Sequence, residues 1–292
     1  MTQEIISEEK TTTALSVAIQ GYPGAFHEIA SRLYFGDEKN LNIVPAHTFD
    51  DLVRMVDNSE TDTALMAIEN SLEGSLMYNY RLLHDGGFSI VGEIYLRIKQ
   101  NLMTLPGKKI EDLTEVRSHP MAIAQCRDFF RKHPHIRLVE TVDTALSAKQ
   151  IEDENLQTVG AIASTLAADL YNLEIIAPSI ETNKLNYTRF LVLRRNEGLE
   201  TVENINKISV SFAVSHDVGS LQKVLTIMAA YNMNLTKIQS TPIPGKQWEY
   251  RFFVDFMLGE HLGWQESIDA LKPLTTNLKV LGAYQKGEHF EY

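Results

Sequence analysis

A chain of 292 residues is long enough for two or three compact units, each burying its own core. With 44% hydrophobic and 22% charged residues it has an ordinary soluble composition, and 27 basic against 38 acidic residues give a net charge of −11. That balance speaks against nucleic acid or an anionic membrane as partner, and an acidic substrate would need a local cluster of donors to offset the overall field.

Residues 1–14 read as a disordered, polar lead-in without the apolar stretch of a secretion signal. No run approaches the ~20 apolar residues of a membrane helix, so a cytoplasmic protein is expected. From residue 15 to 195 one pattern recurs: an apolar strand, a junction of small or polar residues, then a helix. Ser16 to Gln20 runs into Gly21-Tyr22-Pro23-Gly24-Ala25-Phe26 and a helix ending near Gly36. Ala64 to Ile68 runs into Glu69-Asn70-Ser71-Leu72-Glu73-Gly74, then a helix closed by Asp85-Gly86-Gly87. Val116-Arg117 meets Ser118-His119-Pro120, with proline suited to a first helical turn, and a helix to about Lys132. Val159 to Ala163 meets Ser164-Thr165, good capping residues, and a helix to about Leu170. Tyr187-Thr188-Arg189-Phe190 then opens a last apolar strand.

Strands alternating with helices predict an α/β unit with a largely parallel sheet. Ligands of such sheets sit beyond the carboxyl ends of the strands, where helix N-termini present unpaired N–H groups and a positive dipole end. Converging N-termini would let an acidic protein bind an acid, although any α/β unit has such junctions and most do not share a site. Residues 196–206 are polar and read as a linker. After them the order changes to strand (208–214), helix (219–231), two strands (235–240 and 248–256) around Pro242-Ile243-Pro244-Gly245, helix (264–271) and strand (278–284). That βαββαβ order is a ferredoxin-like unit.

Cys126 is the only cysteine, which excludes an intrachain disulfide and a multi-cysteine metal site. There is no P-loop, no G-x-G-x-x-G after a strand, no H-E-x-x-H and no G-x-S-x-G. Cofactor-free acid chemistry remains open. Glu69, Asn70 and Ser71 stand at a strand end, where such groups are costly to bury without partners. A helix cap is the simpler account of Asn70, Ser71, Ser118 or His119 taken singly. Strand alternation puts Thr188 and Phe190 on one face and Arg189 on the other.

Together these motifs are specific, and from residue 15 to 286 the chain resembles the prephenate dehydratase family. The matching runs are Ile68-Glu69-Asn70-Ser71-Leu72-Glu73-Gly74-Ser75, Val91-Gly92-Glu93-Ile94-Tyr95-Leu96, Ser118-His119-Pro120 with Gln125-Cys126, Ala161-Ile162-Ala163-Ser164, and Thr188-Arg189-Phe190. Residues 207–286 resemble an ACT domain through Asn234-Leu235-Thr236-Lys237-Ile238, Trp248-Glu249-Tyr250 and Phe253-Val254-Asp255. The resemblance implies a two-lobed, periplasmic-binding-protein-like catalytic domain with a cleft (15–195) and a regulatory ACT domain.

It also implies the reaction: prephenate loses water and carbon dioxide to give phenylpyruvate, without cofactor or metal. By resemblance Thr188 is the donor to the leaving hydroxyl, with Glu69 relaying a proton through it or orienting it. Asn70 and Gln125 complete the catalytic set, and Ser71, Ser118, Arg189 and Phe190 are expected to bind substrate; for Arg189 a structural ion pair is the competing account. Gly219, Ser220, Leu221, Asn234, Gln239 and Ser240 are expected to hold L-phenylalanine as a feedback effector.

There are departures. Ala25-Phe26-His27 stands where the family usually carries Thr-Phe-Ser, and Met121 where glutamine commonly follows Ser-His-Pro. Val218-Gly219-Ser220-Leu221 and Gln239-Ser240-Thr241-Pro242 replace Pro-Gly-Ala-Leu and Glu-Ser-Arg-Pro. Arogenate as substrate and a non-catalytic organic-anion binding module are the alternatives. A homodimer or homotetramer and a single activity are expected, since the N-terminus is too short for a chorismate mutase domain.

Overall fold

The computed structural model describes residues 14–36, 40–196, 203–259 and 263–292. The expected lead-in, except Ala14, lies outside the described residues, as does the 197–202 part of the expected linker.

The first lobe begins with β1 (Leu15–Gln20), α1 (Phe26–Phe35), β2 (Leu41–Ala46), α2 (Phe49–Asp57), β3 (Thr63–Asn70), the short β4 (Gly74–Ser75), α3 (Met77–Asp85) and β5 (Phe88–Arg97). Beyond β5 the chain enters the second lobe: β6 (Asn101–Thr104), β7 (Glu115–Ser118), α4 (Pro120–Gln125), α5 (Arg127–Phe130), β8 (Arg137–Glu140), α6 (Thr144–Asp153), β9 (Val159–Ala163), α7 (Thr165–Leu170) and β10 (Glu174–Ala177). It returns to the first lobe along β11 (Tyr187–Arg195). The C-terminal unit is β12 (Lys207–Ala213), α8 (Ser220–Ala230), β13 (Asn234–Pro242), β14 (Tyr250–Met257), α9 (Trp264–Leu271) and β15 (Thr276–Tyr284), the βαββαβ order expected, followed by β16 (His289–Phe290). No helix among the described residues is long and apolar enough to cross a membrane.

The expectation of a largely parallel sheet needs correction. β1 is parallel to β2 and β3, but β11 is antiparallel to both β3 and β5. In the second lobe β7 is parallel to β8 and β9, while β6 is antiparallel to β9 and β10. The cause is the double crossing: the chain leaves the first lobe along β5 and comes back along β11, so these neighbours run in opposite senses. The helix expected to reach Lys132 is likewise interrupted at Cys126, which caps α4, starts α5 and is wholly buried.

The C-terminal unit is not a separate body on a tether. One sheet runs β13-β14-β12-β15-β5-β11-β3-β1-β2, joined where Gly282 of β15 pairs with Ile90 of β5. A Cβ at Gly282 would lie 2.3 Å from the Ile90 carbonyl oxygen, so only glycine allows this approach. Phe253, Leu281 and Tyr284 of the C-terminal unit share one apolar core with Met66, Tyr80, Leu83 and Ile90 of the first lobe. That shared burial, at ~25 cal/mol per Å² of apolar surface, is what holds the two together.

Candidate active site

The carboxyl ends of β1 and β3 and the start of α1 face α4 and the start of α6 across a cleft between the lobes. Its volume is about 380 Å³, at the small-molecule end of ligand sites. Its walls include Ala25, Phe26, His27, Asn70, Ser75, Thr188 and Phe190 from the first lobe, Ile98 and Gln100 at the crossing, and His119, Met121, Gln125 and Asp143 from the second.

Antiparallel pairing sets Thr188 opposite Asn70 and Arg189 opposite Glu69. Side chains alternate along each strand, so Thr188 and Asn70 share the cleft face. Asn70 Oδ1 accepts the backbone N–H groups of Leu72 (2.9 Å) and Glu73 (3.1 Å), which fixes which way its amide points. Its Nδ2 must then donate, to Asn186 Oδ1 at 2.8 Å and Thr188 Oγ1 at 3.1 Å. Asn186 Nδ2 donates onward to Gln125 Oε1 at 2.8 Å, which also accepts from Gln100 Nε2 at 3.3 Å. A line of oriented amides therefore spans both lobes. Because Thr188 Oγ1 is an acceptor in this line, its own proton stays free to be donated into the cleft.

His27, where the family usually has serine, is pushed down to about 3 by burial, and its Nε2 accepts from Ala67 N at 3.4 Å. It is thus a neutral ring, packed edge-on to Phe190 at 4.9 Å. Ala25, His27 and Met121, departures from the family pattern, all line the cleft. Across from them burial pushes the Asp143 carboxyl up, partly offset by N–H donors of Leu146 and Ala145.

Four expected site residues do not face this cleft. Glu69, expected to relay a proton through Thr188 or to orient it, is turned by alternation to the other face, where its Oε1 accepts from Lys237 Nζ of β13 at 2.5 Å. Ser71 Oγ donates to Leu185 O (2.8 Å) and accepts from Tyr187 N (2.9 Å), pinning the returning strand. Ser118, fully buried, spends its proton on Ile162 O at 2.7 Å, tying β7 to β9. Arg189, 5% exposed, bonds Glu93 Oε2 (2.7 Å), Asp255 Oδ2 (2.5 Å) and Tyr284 Oη (3.0 Å), so its competing account as a structural ion pair is the one observed. Lys207 closes this cluster on both Glu93 oxygens, at 2.8 and 2.9 Å.

Sequence reasoning missed Asn186 and Gln100, the links of the amide line between Asn70 and Gln125. The one available signal was a pair of amides flanking the lobe crossings, Asn186 just before Tyr187-Thr188 and Gln100 just after Arg97. Lys237 lies in the Asn234-to-Ile238 run of the ACT resemblance, but its tie to Glu69 spans 168 positions, which no local pattern reveals.

Of the effector expectations, Gly219, Ser220 and Leu221 line a cavity of about 490 Å³ in the C-terminal unit, with His216, Trp248 and Tyr250. Gly219 caps α8 at φ 81°, where glycine is unstrained. Asn234, Gln239 and Ser240 lie instead on β13, the edge strand, and within one chain do not meet that cavity. Among the described residues no group of three His, Cys, Asp or Glu side chains converges as metal ligands would.

A family model described as "Prephenate dehydratase" matches residues 17–198. The chain is similar to "Arogenate dehydratase/prephenate dehydratase 2, chloroplastic" of Arabidopsis thaliana, 38% identical over 92% of this chain and 72% of that protein. It is similar to "Bifunctional chorismate mutase/prephenate dehydratase" of Aquifex aeolicus, at 34% identity over 93% and 74%. Among solved structures, a prephenate dehydratase from Arthrobacter aurescens in complex with L-Phe superposes with a TM-score of 0.81 at 26% identity, over 92% and 89% of the two chains. A structure titled "GqqA- a novel type of quorum quenching acylases" does so with a TM-score of 0.83 at 28% identity, over 93% and 98%.

Proposed function

The chain belongs to the prephenate dehydratase family and is a dehydratase lyase, and from that premise we propose that it converts prephenate to phenylpyruvate at the interlobe cleft. The ring carboxylate leaves as carbon dioxide, its bonding electrons enter the ring, and hydroxide departs from the opposite carbon as the ring becomes aromatic. The barrier lies in that departure. The Thr188 hydroxyl donates to the leaving oxygen, and Asn70 Nδ2 steadies the charge that builds on Oγ1. Gln125 Nε2 bonds no protein acceptor among the described residues and serves as a second donor. Phe190, Ile98 and Phe26 give the ring an apolar bed. α1 begins at the cleft without a side-chain cap, so its first N–H groups suit the side-chain carboxylate.

The observation that carries this reading is the locked Asn70 amide, which leaves the Thr188 proton to the cleft. Assay of purified protein for phenylpyruvate formation from prephenate tests it; no turnover by folded protein sinks it. Hydrolysis of an acyl bond, suggested by the acylase title, would need an activated nucleophile. No imidazole or carboxylate bonds Thr188 among the described residues, which favours a donor over a nucleophile.

L-Phenylalanine binds the C-terminal cavity and inhibits, a reading supported by Gly219 to Leu221 lining it and by the L-Phe complex of the Arthrobacter relative. A homodimer or homotetramer covers the outer edge of β13, which pairs with no further strand among the described residues. A single wholly buried cysteine suits the reducing cytoplasm expected from the sequence. Arogenate is the second reading, favoured by the names of the plant relatives.

A further inference from the structure

We infer that Gln100 contacts the substrate and helps determine which substrate is accepted: its Oε1 receives a hydrogen bond from an N–H or O–H donor of the bound molecule. This rests on the dehydratase reading above and adds a residue that the sequence motifs do not mark.

Two backbone N–H groups, of Leu72 and Glu73, hold Asn70 Oδ1 and thereby orient every amide after it. Asn70 Nδ2 meets Asn186 Oδ1, so Asn186 Nδ2 must meet Gln125 Oε1. Gln125 therefore turns an oxygen toward Gln100, and Gln100 must answer with its nitrogen, at 3.3 Å. The reverse orientation would bring two carbonyl oxygens together at that distance. Gln100 Oε1 is thus left as the terminal acceptor of the line.

That oxygen is buried and no protein group bonds it, although Gln100 is only 4% exposed and lines the cleft. Buried amide oxygens are rarely left so, because the lost hydration is not recovered. The backbone of the residue is held on both sides. Its N–H donates to Glu181 Oε2 at 2.9 Å, and its carbonyl accepts from Ile180 N at 2.7 Å. Glu181 is itself clamped by Ser179 Oγ at 2.7 Å. An unmatched acceptor on a cleft-wall residue whose backbone is fixed is a site for a donor, reached by a small shift of the Gln100 side chain toward the cleft.

Two donors fit this chemistry. The ring hydroxyl is common to prephenate and arogenate, whereas the α-ammonium belongs to arogenate alone and faces a keto oxygen in prephenate. An acceptor beside the α-position would favour the ammonium and repel the keto oxygen; one beside the ring hydroxyl would treat both substrates alike.

The test is Gln100→Met in the full chain, with kcat and KM measured for both substrates and folding followed by thermal melting. Methionine keeps the length and removes the acceptor. We expect kcat/KM to fall about 10- to 100-fold, as for loss of one buried hydrogen bond to substrate. Equal loss on both substrates assigns the contact to the hydroxyl, and loss confined to arogenate assigns it to the ammonium. Unchanged kcat/KM on both overturns the inference while wild-type turnover leaves the dehydratase reading standing. If the wild type turns over neither substrate, that reading falls and this one with it. Action purely through Gln125 is checked with the double variant: a double Gln100→Met/Gln125→Met loss no larger than that of Gln125→Met alone overturns direct contact. Should Gln100→Met fail to fold, Gln100→Asn withdraws the same amide by one methylene and is judged by the same outcomes.

Discussion

Lys237 of the C-terminal unit places its ammonium 2.5 Å from Glu69 Oε1 and 2.5 Å from Ser75 Oγ, gripping both ends of the turn that carries Asn70. Glu69 directly precedes Asn70, and Ser75 is part of the cleft wall. The strand bearing Lys237 also bears Gln239, whose Oε1 accepts from Ser75 Oγ at 3.4 Å. A movement of β13 is therefore felt directly by the segment that orients Thr188.

Lys237→Met should uncouple the two units more than it harms either. The lysine head is 12% and the glutamate 31% exposed, so the pair sits between surface and core and its removal should cost about 1–2 kcal/mol. Turnover without phenylalanine should stay within about threefold of wild type, while the phenylalanine concentration for half inhibition rises about tenfold, ~1.4 kcal/mol of coupling. Phenylalanine titration of both proteins checks this; identical inhibition curves would remove Lys237 from the coupling.

Thr188→Val keeps the shape and removes the hydroxyl. With the strand otherwise intact, kcat should drop about 10²- to 10⁴-fold with little change in KM, as for loss of a transition-state donor. Thr188→Ser should retain much of the rate. Near wild-type turnover of a folded Thr188→Val protein would show that the leaving hydroxyl is handled elsewhere.

Arg189→Leu should act on the fold before it acts on chemistry. It strands Glu93 and Asp255 in the interior without their guanidinium, a loss of about 3–5 kcal/mol for a buried pair broken on one side. Burial pushes the Asp255 carboxyl up, but Arg189, with Ser209 and Lys207, outweighs that and holds it below the usual carboxylate range. A depressed carboxyl contributes stability that is present above its unfolded value of ~3.9 and is lost as pH falls through the lower folded value. Urea midpoints at neutral pH for wild type and variant measure the loss. A fully stable variant would contradict the structural role.

His27 should set the acid limb of stability. Its folded value, pushed by burial from 6.5 to about 3, lies below the unfolded one. The stability it contributes is therefore complete above pH 6.5 and lost as pH falls toward 3, by at most ~1.4 kcal/mol per unit. His27→Asn should flatten the fall in urea midpoint between pH 6.5 and 4. Parallel pH profiles for the two proteins would rule this out.

Much of the architecture was legible because it is local. The βαββαβ order after Lys207 follows from strand alternation and two amphipathic helices, and the face shared by Thr188 and Phe190 follows from a period of two. The interruption at Cys126 and the mixed sense of the sheets were not legible, because they depend on how the chain crosses between lobes. The same holds for the site. Thr188, Asn70, Gln125 and Phe190 stood out as motif residues and do face the cleft. The fates of Glu69 and Arg189 were decided by Lys237 and by Asp255 and Tyr284, partners brought in from another unit by a sheet junction with no sequence signature. Asn186 and Gln100 are plain amides until the two crossings set them side by side.

The pairing of Gly282 with Ile90 has a mechanical consequence. Since β15 is knitted to β5 and both share a core with β3, the first lobe and the C-terminal unit form one chassis, on which the second lobe is mounted. The two crossings are tied to each other, Ile98 N donating to Asn186 O at 2.7 Å, and the second lobe is fastened again where Ser164 Oγ donates to Gly24 O at 2.5 Å and Tyr171 Oη to Pro23 O at 2.7 Å. An effector on the C-terminal unit therefore has no need to travel toward the cleft. A ligand bound there would act on the cleft through the frame on which Asn70 is mounted, by way of Lys237, Glu69 and Ser75.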